Sequence, residues 1–107
     1  MARALVQMPA SARRGEVFEI KTLISHPMES GFRPGADGRL QPRNIVRRLS
    51  CRYNGEPVFS AEMSPATAAN PYFAFNTVAT ESGTLSFVWE GDEGFTHTET
   101  VAITVTG

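Results

Sequence analysis

Apolar and polar side chains alternate one by one along several stretches of the chain, which is the pattern of β-strands with one buried face. The densest stretch is Asn70–Trp89, where Phe73 and Phe75 fall on one face and Ser82-Gly83 supplies turn chemistry between two apolar runs. The pattern predicts two strands joined by a turn, a hairpin at the heart of the fold.

Five other stretches show the same alternation or a short apolar run. They are Ala4–Met8, Glu16–Ser25, Asn44–Tyr53, Glu56–Met63 and Thr96–Thr106. Asn54-Gly55 between the third and fourth of these predicts a tight hairpin, because both residues tolerate the positive φ of a type I′ turn. About seven strands at this spacing predict an all-β protein, an immunoglobulin-like antiparallel β-sandwich.

The inward faces of these strands predict the hydrophobic core. Its expected members are Phe18, Ile20, Leu49, Cys51, Phe75, Leu85, Phe87, Trp89, Val101 and Ile103. With 107 residues the chain is long enough to bury such a core without stabilising disulfides or metal ions, so residues 1–107 are expected to form a single domain.

Two segments interrupt the strand pattern. Met28–Pro42 is rich in glycine and proline and has no period, which predicts a long loop that could be a binding element. Ser64–Asn70 could form one helical turn, with Ser64 as N-cap and Pro65 in the first helical position, and this turn would carry the chain from one sheet to the other.

The charge balance argues against nucleic acid or a membrane as a partner. Ten basic residues against eleven acidic ones give a net charge of −1, so the whole molecule has no field that would attract polyanions. The chain also shows neither the apolar core of a signal peptide nor a run long enough to cross a bilayer. We therefore expect a soluble chain that does not direct its own export.

The sequence offers little that could act as a catalyst, cofactor site or metal site. Cys51 is the single cysteine and lies on an apolar strand face, where a structural role is expected. His26 and His97 lack a second ligand at metal-binding spacing, so the first is interpreted as a strand-end residue that hydrogen-bonds the following loop and the second as a surface residue. We expect no catalytic residues, no cofactor and no metal.

Arginines form the one concentrated positive region of the chain. They are Arg33, Arg39, Arg43, Arg47, Arg48 and Arg52. They could be a solvated strand face, or an interface that pairs with carboxylates of a partner protein. Nucleic-acid binding is a weaker third interpretation, because no aromatic stacking residues are interleaved with these arginines.

Exposed apolar groups in irregular segments, together with Arg and Tyr, predict a partner-binding surface. The candidate residues are His26, Pro27, Met28, Phe32, Arg43, Arg47, Pro65, Asn70, Pro71, Tyr72 and Phe73. The alternative for Tyr72 and Phe73 is that they cap the sandwich core.

Three long strings resemble the SoxZ family of the bacterial sulfur-oxidation system. They are SHPMESG at Ser25–Gly31, PRNIVRRLSCRYNGEPVF at Pro42–Phe59, and PATAANPYFAFNTVATESGTLSFVWEGDEGFTHTE at Pro65–Glu99. The resemblance runs nearly from end to end and implies an immunoglobulin-like scaffold, itself not an enzyme, that forms a heterodimer with SoxY.

In that family SoxY carries sulfur intermediates on a mobile carboxyl-terminal cysteine during thiosulfate oxidation. The resemblance implies that the pair meets a heme-containing enzyme, a metal-dependent hydrolase and sometimes a dehydrogenase, and that it works in the periplasm after export with a signal-bearing partner. This chain ends Val105-Thr106-Gly107, without the terminal cysteine of SoxY. The runner-up interpretation is a generic immunoglobulin-like adhesion or ligand-binding module.

Overall fold

A computed structural model describes residues 3–107 as two β-sheets packed face to face. The strands are β1 Arg3–Gln7, β2 Ser11–Arg13, β3 Val17–Ser25, β4 Val46–Tyr53, β5 Glu56–Glu62, β6 Tyr72–Val78, β7 Gly83–Gly91 and β8 Thr96–Thr106. One sheet has the order β1-β3-β6 and the other β2-β8-β7-β4-β5, and every neighbouring pair is antiparallel except β2 with β8. The predicted immunoglobulin-like sandwich is confirmed.

The core lies between the sheets and consists of the strand faces that alternation predicts. Phe18, Ile20, Leu49, Cys51, Leu85, Phe87, Trp89 and Ile103 are buried, while Phe75 and Val101 are partly buried against them. Asn54 and Gly55 have φ of 49° and 85°, so the predicted β4–β5 turn is also confirmed.

The predicted hairpin between β6 and β7 is wrong, because the two strands belong to opposite sheets. β6 pairs with β3, and β7 lies between β4 and β8. The link between them crosses the end of the sandwich, with Ala79 buried and the amide of Thr80 bonded to the Tyr53 hydroxyl at 3.3 Å. Tertiary contacts therefore overrode the local turn signal.

The predicted helical turn at Ser64–Asn70 is also wrong, although the segment does connect the two sheets, from β5 to β6. The Thr67 amide donates to the Ser64 carbonyl at 2.9 Å, and the Ser64 and Thr67 side chains bond nearby amides, which closes a single turn. Asn70 then adopts a φ of 53°. A left-handed residue so soon after the turn leaves no room for helical hydrogen bonds.

Strand β4 starts with a bulge that the sequence did not reveal. Alternation placed Val46 on the face opposite to Leu49, but both are buried, because the register against β7 shifts between Val46 and Arg48. The bulge leaves Arg47 and Arg48 exposed together. Across from it, a Cβ on Gly91 would lie 2.5 Å from the Ile45 carbonyl oxygen, so the close approach of the two backbones requires glycine.

Candidate partner interface

The long segment between β3 and β4 folds back on itself as an arm, defined here as Glu29–Asn44. Backbone hydrogen bonds of 2.8 and 2.9 Å join Glu29 and Asn44 at its base, and a bridge between Pro34 and Leu40 closes it near the tip. The tip is a tight turn in which the Gly35 amide bonds the Arg39 carbonyl at 2.7 Å. The predicted loop is therefore an irregular hairpin that contains no regular strand.

The arm prolongs the sandwich rather than lying on it. The molecule measures 61 × 20 × 19 Å, and its radius of gyration is 16.3 Å, against about 13 Å for a typical domain of this length. The longest strand, β8, spans about 36 Å at 3.3 Å per residue. The arm leaves the sandwich at the end of β3 and returns at the start of β4. It therefore accounts for much of the difference between the length of β8 and the longest dimension of the molecule.

Asp92 fixes the base of the arm to the sandwich. Its carboxylate accepts two hydrogen bonds of 2.9 Å from the Arg43 guanidinium and one of 3.2 Å from the Ile45 amide, and it lies 3.3 Å from Nε of Arg47. The Arg43 hydrogen bonds hold the pKa of this carboxyl below its usual value, with further contributions from the Ile45 amide and the charge of Arg47. Two of the predicted interface arginines thus have an internal partner.

His26 and Met28 lie inside the protein, contrary to the prediction that the entrance to the long loop is exposed. They are only 7% and 6% accessible. The Met28 amide donates to Nδ1 of His26 at 2.9 Å, which confirms the predicted hydrogen bond from this histidine to the following loop, and the Met28 sulfur accepts from the Val46 amide at 3.3 Å. Desolvation lowers the pKa of His26, although Asn44 and Asp92 partly oppose this effect.

Five of the predicted residues fall into three places. Phe32 is 76% exposed on the arm. Arg43, Arg47 and Pro65 line one cleft of about 420 Å³ beside the arm base. Asn70 holds the start of β6 against the end of β3, because its side chain accepts from the His26 amide at 2.9 Å and its amide donates to the His26 carbonyl at 2.8 Å.

The other residues predicted near Asn70 differ in exposure. Pro71 is buried and Pro27 is exposed. Tyr72 is 55% exposed on the outer face of the sheet, whereas Phe73 points inward and is partly buried. The core-capping alternative therefore describes Phe73, while Tyr72 remains available to a partner.

Three apolar residues at the surface were missed at the sequence level: Leu5 and Leu40, which are exposed, and Leu23, which is half-buried. Leu5, Leu23 and Tyr72 are directly paired across β1, β3 and β6, so they form a continuous row on the outer face of the three-stranded sheet. A shallow cleft of about 150 Å³ lies along this row. Leu40 is 61% exposed and sits near the arm tip. Alternation along each strand indicates which residues face outward, but only the strand order shows that Leu5, Leu23 and Tyr72 are neighbours.

The chemically reactive side chains lie apart from these surfaces. Cys51 is fully buried, and desolvation raises its pKa to about 12. His97 packs against Trp89 and has its Nε2 at 2.9 Å from a carboxylate oxygen of Glu99, so it is half-buried rather than a free surface residue. Among residues 3–107 no cluster of three or more His, Cys, Asp or Glu is arranged to hold a metal ion. No helix within residues 3–107 is long and apolar enough to cross a membrane.

Comparisons with known proteins point to one family and to one widespread fold. The family described as sulphur oxidation protein SoxZ matches residues 6–102. No curated protein sequence matches the chain. Among solved structures, superoxide reductase (neelaredoxin) from Ignicoccus hospitalis has a TM-score of 0.74 at 15% identity, with 96% of this chain and 80% of that chain covered. The sulfur carrier protein SoxY from Chlorobium limicola f thiosulfatophilum has a TM-score of 0.69 at 14% identity, with 97% and 79% covered. At these identities the structural likeness establishes the fold.

Proposed function

The chain belongs to the SoxZ family of sulfur-oxidation proteins, and we propose that it is the scaffold subunit that binds SoxY to form the SoxYZ carrier complex. In this complex a cysteine of SoxY holds the sulfur intermediates of thiosulfate oxidation, and the present chain is not an enzyme. SoxY in turn presents them to the heme-containing, hydrolase and dehydrogenase components. The proposal includes a periplasmic location, reached by export together with the partner.

One observation carries the division of labour between the two subunits. A sulfur carrier needs a thiolate that its enzymes can reach, because the thiolate is the nucleophile. Cys51 is the single cysteine of this chain, is fully buried and has a pKa of about 12. This supports the proposal that the covalent sulfur resides on another chain, which under the proposed function is SoxY.

The exposed apolar groups support a role in binding. Phe32 and Leu40 project from the arm, and the row of Leu5, Leu23 and Tyr72 covers one face of a sheet. Surface aromatic and aliphatic residues grouped in this way are typical of protein interfaces. The generic adhesion or ligand-binding module remains the second candidate, and it differs by requiring no cysteine-bearing partner.

Mixing the chain with SoxY from the same organism tests the proposal. We expect a stoichiometric complex in size-exclusion chromatography and a higher melting temperature for both subunits, because a partner that binds only the folded state stabilises it. Thiosulfate-derived sulfur should label SoxY and leave this chain unlabelled. A chain that stays monomeric beside folded SoxY would favour the generic module instead.

Single substitutions then test the arm. Phe32→Ser should weaken SoxY binding by about tenfold or more and leave the melting temperature of the isolated chain unchanged, because the side chain is exposed. Met28→Ser is the matched control for a buried position and should lower the melting temperature through loss of core packing. Unchanged binding of Phe32→Ser would place the interface elsewhere on the molecule.

Fractionation of cells that express both subunits tests the location. The chain should appear in the periplasmic fraction when SoxY carries its export signal, and it should stay in the cytoplasm when that signal is deleted. Periplasmic accumulation without SoxY would contradict export through the partner.

A further inference from the structure

Strand β6 forms an open edge of the three-stranded sheet. On one side it pairs with β3 in unbroken antiparallel register, from Val17 opposite Val78 to Leu23 opposite Tyr72. On its other side no strand within residues 3–107 pairs with it. The backbone groups on that side are therefore available to another chain.

The hydrogen bonds between β6 and β3 show which backbone groups of β6 point outward. In an antiparallel pair, alternate residues direct both N–H and C=O toward the neighbouring strand. The Ile24 amide donates to the Pro71 carbonyl at 3.2 Å and the Ala79 amide donates to the Glu16 carbonyl at 2.8 Å, so the odd-numbered residues of β6 face β3. The residues that face outward are Tyr72, Ala74, Asn76 and Val78. Together they present four donors and four acceptors.

Other edges of the sandwich carry features that discourage pairing with a foreign strand. β5 contains Pro57, has Glu56 and Glu62 at its ends, and shifts register against β4. In the part of β8 that does not pair with β2, Glu99 lies on the strand face that points into the sandwich, the same face as Val101. Proline, charged residues, inward charges and bulges are the usual means by which proteins protect edges. β1 is shorter, with five residues, and begins with Arg3.

β6 has none of these features. Its seven residues, YFAFNTV, include no charge and no proline, and the register with β3 is regular throughout. Aromatic, β-branched and uncharged residues of this kind also favour β-pairing. An edge left so unprotected in a folded protein is expected to be covered in its working state.

The side chains next to this edge would suit an added strand. On the core side, Phe59 of β5 stacks on Phe75 with ring centroids 4.0 Å apart and lies 6.2 Å from Phe73, and all three rings remain partly exposed. Toward the end of β6, a cleft of about 620 Å³ separates the two edges and is lined by Val58, Asn76 and Val78, among others. A new strand with apolar residues at alternate positions would cover the rings.

We infer that the β6 edge is the docking site for an extended edge strand of SoxY, which would add to the three-stranded sheet as a fourth strand. The outward N–H and C=O groups of β6 repeat about every 7 Å along the strand, and an extended strand of another chain has acceptors and donors at the same spacing to pair with all of them. A SoxY protein has the same fold as this chain, with a TM-score of 0.69, and a sandwich of that fold has edge strands of similar twist. The inference rests on the proposed function, because it takes SoxY as the partner.

Amide hydrogen exchange of the unmodified protein tests the inference without any substitution. In the free chain the amides of Tyr72, Ala74, Asn76 and Val78 should exchange fast, and those of Phe73, Phe75 and Thr77 slowly, because only the latter bond to β3. Binding of SoxY should slow the outward amides by about tenfold or more. Outward amides that still exchange fast in a saturated complex would overturn strand addition, whatever the affinity.

A pair of proline substitutions provides the second test. Ala74→Pro removes an outward N–H at the centre of the edge, where proline is sterically tolerated by the strand itself but blocks a neighbour. Ala102→Pro is the matched control. The Gly91 amide bonds to the Phe95 carbonyl, so the odd-numbered residues of β8 direct their backbone groups toward β7 and the amide of Ala102 points the other way. The pairing of β2 with β8 reaches no further than Thr104, so no strand covers the Ala102 amide on that side. Ala74→Pro should raise the Kd for SoxY about tenfold or more, while Ala102→Pro should leave it unchanged. Equal Kd values for the two variants would overturn the inference.

The outcomes also separate this inference from the proposed function. If the unmodified chain does not bind SoxY, the proposed function itself fails. If it binds SoxY and Ala74→Pro binds equally well, the function stands and the docking site is wrong. If the outward amides are already protected in the free chain and its sedimentation shows a dimer, the occupant is a second copy, which would also overturn the assignment to SoxY.

Discussion

The hydroxyl of Tyr53, at the end of β4, donates a hydrogen bond to the backbone carbonyl of Glu81 in the link between β6 and β7. The same oxygen accepts from the Thr80 amide at 3.3 Å. One buried phenol thus holds the crossing that carries the chain from one sheet to the other. The ring also contacts Phe18 edge-to-face with centroids 6.5 Å apart.

Tyr53→Phe should therefore destabilise the protein by about 1–2 kcal/mol, because two backbone groups lose a buried partner while the ring packing is kept. Urea unfolding measures the change. Tyr72→Phe is the matched control, since Tyr72 is exposed, and it should alter the free energy of unfolding by less than about 0.5 kcal/mol. Equal effects of the two substitutions would contradict the role of the Tyr53 hydroxyl.

Cys51 should be unreactive in the folded protein. It is fully buried and its pKa is raised to about 12, so at pH 8 very little thiolate forms and none of it is accessible. A chromogenic disulfide reagent should label no thiol in buffer and one thiol per chain in concentrated denaturant. Rapid labelling of the native protein would show that the core opens or that Cys51 is exposed.

The stabilising effect of Asp92 should depend on pH in a defined direction. The pKa of its carboxyl is lowered in the folded state, chiefly by Arg43, so its contribution is complete above the ordinary aspartate pKa and is lost as the pH falls below about 4. Asp92→Asn should reduce stability at pH 7, and its difference from the unmodified chain should shrink in acid. Glu19→Gln, which removes an exposed carboxylate 3.7 Å from Lys21, should have little effect at either pH.

His26 should make stability fall with falling pH in the same direction as Asp92, but in a window nearer neutrality. Its folded pKa is lowered by desolvation, so the unfolded chain takes up the proton first and stability falls as the pH drops through about 6.5 toward the folded value. The urea midpoint should decrease between pH 7.5 and 5, and His26→Gln should reduce that decrease. A proton NMR titration would give the pKa of His26 directly.

Alternation along the sequence predicted which residues of each long strand face the core, because the two-residue period is a local property of an extended chain. It could not predict which strands are neighbours. Two strands separated by the few residues between Val78 and Gly83 read as a hairpin, yet they belong to different sheets. The three-residue strand β2 was missed because Ser11–Arg13 is too short to show a period.

The exposure of the candidate interface residues was predicted less well than the fold, for a physical reason. In irregular segments no period separates inward from outward residues, so Met28 and Phe32 looked equivalent although one is buried and the other is exposed. The same limit applies to Arg43, whose guanidinium pairs with a carboxylate 49 positions away. The row of Leu5, Leu23 and Tyr72 required the strand order before its members could be seen as neighbours.

The arm also has a kinetic consequence. Its base is pinned through Arg43 to Asp92, while its tip is held by the short-range hydrogen bonds of the Gly35–Arg39 turn. Under the proposed function, a projecting tip with exposed Phe32 and Leu40 should enlarge the capture radius of the domain, and encounters with SoxY should start there. Shortening the arm should therefore slow association with a partner more than it speeds dissociation.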